Sequence, residues 1–89
     1  MKHTNRLLET LIEEKQWLED RISHLPNGYI SVKNINGAPY YYLQHREGNK
    51  ILSDYVPREQ LKSVRRRIVS RKLFEKQLKA VNAEIDAIR

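Results

Sequence analysis

Two turn dipeptides constrain this chain more than anything else in it. Asn36-Gly37 sits between Ile35 and Ala38, and Gly48-Asn49 sits between Glu47 and Lys50. Each suits a two-residue hairpin loop, because asparagine and glycine tolerate the positive φ such turns demand. A two-residue loop leaves no freedom of register, so the pair predicts three antiparallel strands, a meander over residues 29–56. The first register sets Asn34 opposite Pro39 at a non-hydrogen-bonded position, where proline's missing N–H costs little.

With the registers fixed, the two faces of the sheet separate by alternation. One is expected to carry Ile30, Val32, Tyr41, Leu43, Leu52 and Val56 and to pack on helices. The other carries Tyr29, Ser31, Lys33, Tyr40, Tyr42, Gln44, Arg46, Ser53 and Tyr55, with Ile35 and Ile51. Asp54 falls opposite Leu43 on the inner face. A carboxylate there needs a capping partner or an edge position.

Outside the meander the apolar period lengthens. Leu8, Leu11, Lys15, Leu18, Ile22 and Leu25 follow one another in steps of three and four, which predicts a helix over 5–25, its seam widened by Leu7 and Ile12. Trp17 stands beside Leu18 and is expected to widen the core rather than to anchor a partner. Pro26-Asn27-Gly28 stops this helix. Pro57 suits the first turn of a second helix over 57–88, with Glu59 near the positive end of its dipole. Its apolar positions are Leu61, Val64 and Ile68, then Phe74, Leu78, Val81, Ile85 and Ile88. The pattern skips phase around Arg71–Leu73, so the seam should rotate or the helix bend there. At a rise of ~1.5 Å per residue the two helices are about 30 and 48 Å long.

The expected fold is therefore α+β in one domain over residues 1–89: a long helix, a three-stranded meander and a longer helix. The helices pair as an antiparallel coiled coil. Residue 25 would then lie near residue 60, with Asp20, Glu19, Glu14, Glu13 and Glu9 alongside Arg65 to Lys76. Eighty-nine residues hold no second core. So thin a core predicts a homodimer or a larger protein partner, engaged through Leu8, Leu11, Leu18, Val69, Leu73, Leu78 and Ile85.

Charge is concentrated in one place. The chain carries +6, and residues 58–79 hold nine Lys/Arg against Glu59 and Glu75, so the remainder is slightly acidic. Arg58, Lys62, Arg65, Val69, Lys72, Lys76 and Lys79 share one helical face, and Arg66 adjoins it. Such a stripe suits a polyanion, above all nucleic acid. An ordinary solvated face, partly neutralised by the acids of the first helix, and a dock for an acidic protein are the competing readings. On the outer sheet face Tyr40, Tyr42, Lys33 and Arg46 resemble the stacking and phosphate-contacting surfaces of nucleic-acid binders, although tyrosine is also simply a good strand former. With the basic helix starting where the sheet ends, one continuous surface is expected.

Other chemistries find no support. Without cysteine there are no disulfides or thiolates. The N-terminus lacks a continuous apolar run and carries early acids, which predicts a soluble, cytoplasmic chain without a membrane segment. His3, His24 and His45 fall in different elements, away from carboxylates at ligand spacing, so no metal is expected. Ser23-His24 is a sequence neighbour rather than a nucleophile and base. Gly28, Gly37 and Gly48 are too far apart to cradle a phosphate. No enzyme, cofactor or small-molecule substrate is expected.

The stretch Gly28-Tyr29-Ile30, Asn36-Gly37-Ala38-Pro39-Tyr40-Tyr41-Tyr42-Leu43, Arg46-Glu47-Gly48-Asn49-Lys50 and Tyr55-Val56-Pro57 resembles short uncharacterised bacterial and mobile-element proteins of helix–sheet–helix pattern. That group carries no function to transfer. The sheet by itself is similar to the three-stranded, DNA-contacting arm domain of tyrosine recombinases. Two functions follow as expectations. One is a nucleic-acid-binding accessory module reading backbone and shape. The other is a protein-interaction or assembly module, such as a mobile-element inhibitor of a CRISPR nuclease.

Overall fold

The computed structural model describes residues 2–89, with side chains from Arg6 onward. The side chain of His3 lies outside the described residues. The order of elements is helix α1 (Lys2–Ser23), strands β1 (Tyr29–Ile35), β2 (Ala38–Glu47) and β3 (Lys50–Val56), and helix α2 (Leu61–Ile88). The three strands form one antiparallel sheet in the order β1-β2-β3.

Both registers are those the turns dictate. Ile35 pairs with Ala38 and Asn34 with Pro39; Glu47 pairs with Lys50 and Leu43 with Asp54. Asn36 and Gly37 both take positive φ, 51° and 82°, the signature of a type I′ turn. At the second hairpin Gly48 has φ 60° while Asn49 does not enter the positive region, as type II′ requires.

The α1 helix ends at Ser23, and turn bonds from the amides of His24 and Leu25 to the carbonyls of Arg21 and Ile22, each 3.2 Å, close it. Pro57 does not open an α-helix directly. It precedes a 3-10 turn over Arg58–Gln60, closed by a 2.9 Å bond from the Gln60 amide to the Pro57 carbonyl. The turn passes straight into α2.

The chain divides into two compact units, one of residues 26–70 and one of residues 1–25 with 71–89. The division cuts α2 at Ser70/Arg71, where the apolar pattern skips phase. In the helical unit Leu11, Leu18, Val81 and Ile85 are buried, with Leu8, Ile12, Phe74 and Leu78 packed against them. Trp17 is 52% exposed, so it flanks this core instead of filling it, its ring edge-on to Phe74 at 5.6 Å. In the sheet unit Val56 and Ile68 are buried. From Ile68 to Phe74 the buried side of α2 turns by about 120°, taking ~100° per residue. Rotation of the seam, one of the two expected outcomes, is what the burial shows.

The carbonyl of Leu25, expected near residue 60, accepts from Arg71 at 2.8 Å. The sheet unit includes α2 as far as Ser70, with Ile68 buried in it. Among the described residues neither Lys72 nor Lys76 pairs with a carboxylate. On the inner sheet face Ile30, Tyr41, Leu43 and Leu52 are half-buried, but Val32 is 52% exposed. Residues 32–40 are all exposed, so the distal half of the first hairpin stands clear of the packed part of its unit.

Candidate nucleic-acid interface

The outer sheet face is a lattice of tyrosines and cations built by the registers. Tyr42 lies opposite Tyr55 and Lys33 opposite Tyr40, so these side chains are cross-strand neighbours on one face. Ring centroids are 5.8 Å apart for Tyr42 and Tyr55 and 6.4 Å for Tyr40 and Tyr55. The Lys33 ammonium sits over the Tyr42 ring, 4.9 Å from its centre, a cation–π contact that fixes the charge above an aromatic plane. At the end of the face where β1 begins, the Tyr29 hydroxyl donates to Gln44 Oε1 at 3.0 Å. Arg46 is exposed beyond it. Tyr29, Tyr40 and Tyr55 expose 59%, 37% and 55% of their surface. Large aromatics held open by their own neighbours are unusual in a chain with so small a core.

The structure brings Lys33, Tyr40 and Tyr42 together and adds Tyr55 to them, while Arg46 lies on the same face beyond Gln44. Arg65 holds its guanidinium 5.9 Å from the centre of the Tyr41 ring, and Tyr41 belongs to the opposite, inner face. Of the basic start of α2, Arg65 therefore meets the inner side of the sheet. Arg58, Lys62 and Arg66 are exposed in the same unit. Lys72, Lys76 and Lys79 are exposed on the part of α2 that belongs to the helical unit. Of the residues expected to meet a partner chain, Leu11, Leu18 and Ile85 are buried in the chain's own core, with Leu8 and Leu78 packed on it. Val69 and Leu73 remain 56% and 55% exposed.

Residues 8–66 match a family described as a domain of unknown function (DUF6788). The chain belongs to this DUF6788 family. The match takes in the whole sheet and the start of α2, and it ends before Lys72, Lys76 and Lys79. No curated protein and no solved structure matches the chain.

Two histidines find carboxylates that sequence spacing did not predict. His45 Nε2 is 2.7 Å from Asp54 Oδ2, a diagonal pair on the inner face that supplies the partner Asp54 needs. His24 Nδ1 is 3.7 Å from Asp20 Oδ1. Ser23 and His24 also meet, Oγ to Nδ1 at 3.2 Å. The hydroxyl, however, donates to the Asp20 carbonyl at 2.7 Å, and the same carbonyl lies 2.7 Å from Nδ1. Serine and imidazole share one acceptor at the end of α1, an arrangement that caps the helix and does not activate a nucleophile. Among the described residues no group of three or more His, Asp or Glu is gathered as a metal would require. No described helix is long and apolar enough to cross a membrane.

Proposed function

We propose that this DUF6788 chain is a nucleic-acid-binding accessory module whose primary contact is the outer sheet face. One observation carries the reading: exposed Tyr40 and Tyr55 flank half-buried Tyr42, with the Lys33 ammonium fixed over the Tyr42 ring. Bases stack on such rings irrespective of sequence, and the adjacent cations meet the phosphates that stacking brings near. Arg58, Lys62, Arg65 and Arg66, and separately Lys72, Lys76 and Lys79, add long-range attraction and phosphate contacts. The module works without catalysis or cofactor, in the cytoplasm. The contacts Trp17–Phe74 and Arg71–Leu25 support reading α1 and α2 as an antiparallel coiled coil.

Fluorescence anisotropy on short single strands and duplexes tests this. The double variant Tyr40→Ala/Tyr55→Ala is expected to bind about 30-fold more weakly, since each stacked base is worth ~1–3 kcal/mol. Its salt dependence should stay that of the parent protein. Neutralising Lys72, Lys76 and Lys79 to glutamine should do the converse and flatten the salt slope, by ~0.7 for each single-strand phosphate these lysines neutralise. An unchanged slope would make those lysines an ordinary solvated face.

A second reading, an assembly module acting as a homodimer or on a larger protein, is favoured by exposed Val69 and Leu73 on α2. A mobile-element inhibitor of a nucleic-acid enzyme is its concrete form. Sedimentation of Leu73→Asp against the parent chain separates it: loss of a dimer supports assembly, and an unchanged monomer removes it.

A further inference from the structure

We propose that a recess at the end of the outer sheet face is a nucleobase pocket, so that the nucleic acid taken by this face is single-stranded. The inference rests on the reading above and names its substrate class.

The recess follows from unequal strand lengths. β2 has ten residues and β1 seven, and β1 begins at Tyr29, opposite Gln44. Arg46 and Glu47 therefore pair with β3 alone, and the turn through Asn27 and Gly28 arrives where β1 is missing. The result is a concavity of about 350 Å³ walled by Asn27, Gly28, Tyr29, Gln44, His45, Arg46 and Ile51. That volume is at the small end of ligand sites, which run ~300–1,000 Å³. Tyr29, Gln44, Arg46 and Ile51 all point to the outer face by alternation, the face of the tyrosine ladder. Gln44 follows Tyr42 by two residues on β2, so the ladder leads into the recess without a break. From Tyr40 to Arg46 the track is ~20 Å at ~3.3 Å per residue, room for two or three bases on a sheet.

The walls carry what a base requires. Tyr29 and Ile51, 59% and 63% exposed, offer broad apolar surface for a base plane. Asn27 and Gln44 bring side-chain amides, which hold both donors and an acceptor and suit the edges of bases. The Tyr29 hydroxyl occupies Gln44 Oε1 and so sets that amide before any ligand arrives. Arg46 is exposed at the mouth, where a phosphate of the same nucleotide would lie. A base in a duplex must be unstacked at a cost of a few kcal/mol to enter such a recess, whereas a single strand offers it freely.

The test is anisotropy of the full chain with short homopolymers of the four bases and a duplex of equal length, repeated with Ile51→Trp. Ile51 is exposed, and tryptophan there fills the recess from one wall. Asn27→Leu is the second variant, removing an edge-reading amide. One homopolymer is expected to bind about tenfold more tightly than the others, in line with ~1–3 kcal/mol for a well-read base. Both variants should bring it down to the level of the rest. Equal binding of the four homopolymers by the parent chain overturns the pocket and leaves the tyrosine face standing. So does a preference that survives both variants, or a duplex bound as tightly as the best single strand. No binding of any strand at low salt overturns the underlying reading itself.

Discussion

Replacing Gly28 with alanine is expected to destabilise the chain by about 3 kcal/mol or more, from a positive-φ cost of ~1–3 kcal/mol and a clash with main chain. Gly28 has φ +126°, and a Cβ built on it would lie 2.0 Å from the carbonyl oxygen of Gln44. The obstruction is backbone in the middle of β2, so relief requires β1 and β2 to part where Tyr29 pairs with Gln44. A domain of this size has a total stability of only ~5–15 kcal/mol, so the variant should lose much of its resistance to urea. Gly37→Ala is the control. Gly37 also has positive φ, +82°, but open space surrounds the position of its Cβ. Its cost should be only the conformational ~1–2 kcal/mol. Urea titration followed by circular dichroism reads both. If Gly28→Ala is no worse than Gly37→Ala, the close approach of the two backbones is not a stability determinant.

The sheet was legible in the sequence because its information is local. Asn36-Gly37 and Gly48-Asn49 each fix a turn, a turn of two residues fixes a register, and a register fixes every face that follows. The outer lattice of Tyr40, Tyr42, Tyr55 and Lys33 is a consequence of that chain of steps. The phase skip near Arg71 was legible for the same reason, being a property of spacing along one helix. What the sequence concealed depends on lengths and offsets between elements. Nothing in the periodicity of α2 says how many of its turns the sheet unit takes, and so the partner of Leu25 cannot be read from it. The recess arises because β1 begins short of the Glu47 end of β2, a mismatch with no motif of its own. Arg65 reaches Tyr41 instead of the outer tyrosines because α2 leaves the sheet on its inner side. The His45–Asp54 pair, nine residues apart and diagonal across two strands, follows from the second register once Leu43 is set opposite Asp54.

Arg71→Ala is expected to cost about 3 kcal/mol, far more than loss of the exposed Lys72 beside it. The Arg71 side chain is only 20% exposed, and Nη1 donates to the carbonyls of Ile22 and Leu25 at 2.9 and 2.8 Å. The Ile22 carbonyl, which also accepts from the Leu25 amide, and the Leu25 carbonyl lie at and just past the end of α1, at the negative end of its dipole. Hydrogen bonds from a charged donor are worth ~1.5–3 kcal/mol each, and the two share one group, so their sum is an upper bound. The Nε contact to Glu75, 3.3 Å within α2, orients the guanidinium and adds little by itself. Lysine has no planar fork, so Arg71→Lys should recover less than half of the loss. Lys72→Ala, one residue along and exposed, should stay within about 0.5 kcal/mol of the parent chain. The same comparison divides the basic segment by role. Arg71 is committed inside the helical unit, so its removal should lower the urea midpoint and leave the salt slope of nucleic-acid binding unchanged. Removal of Lys72 should do the reverse. An Arg71→Ala variant that keeps its stability but flattens the salt slope would return Arg71 to the binding surface and remove it from the fold.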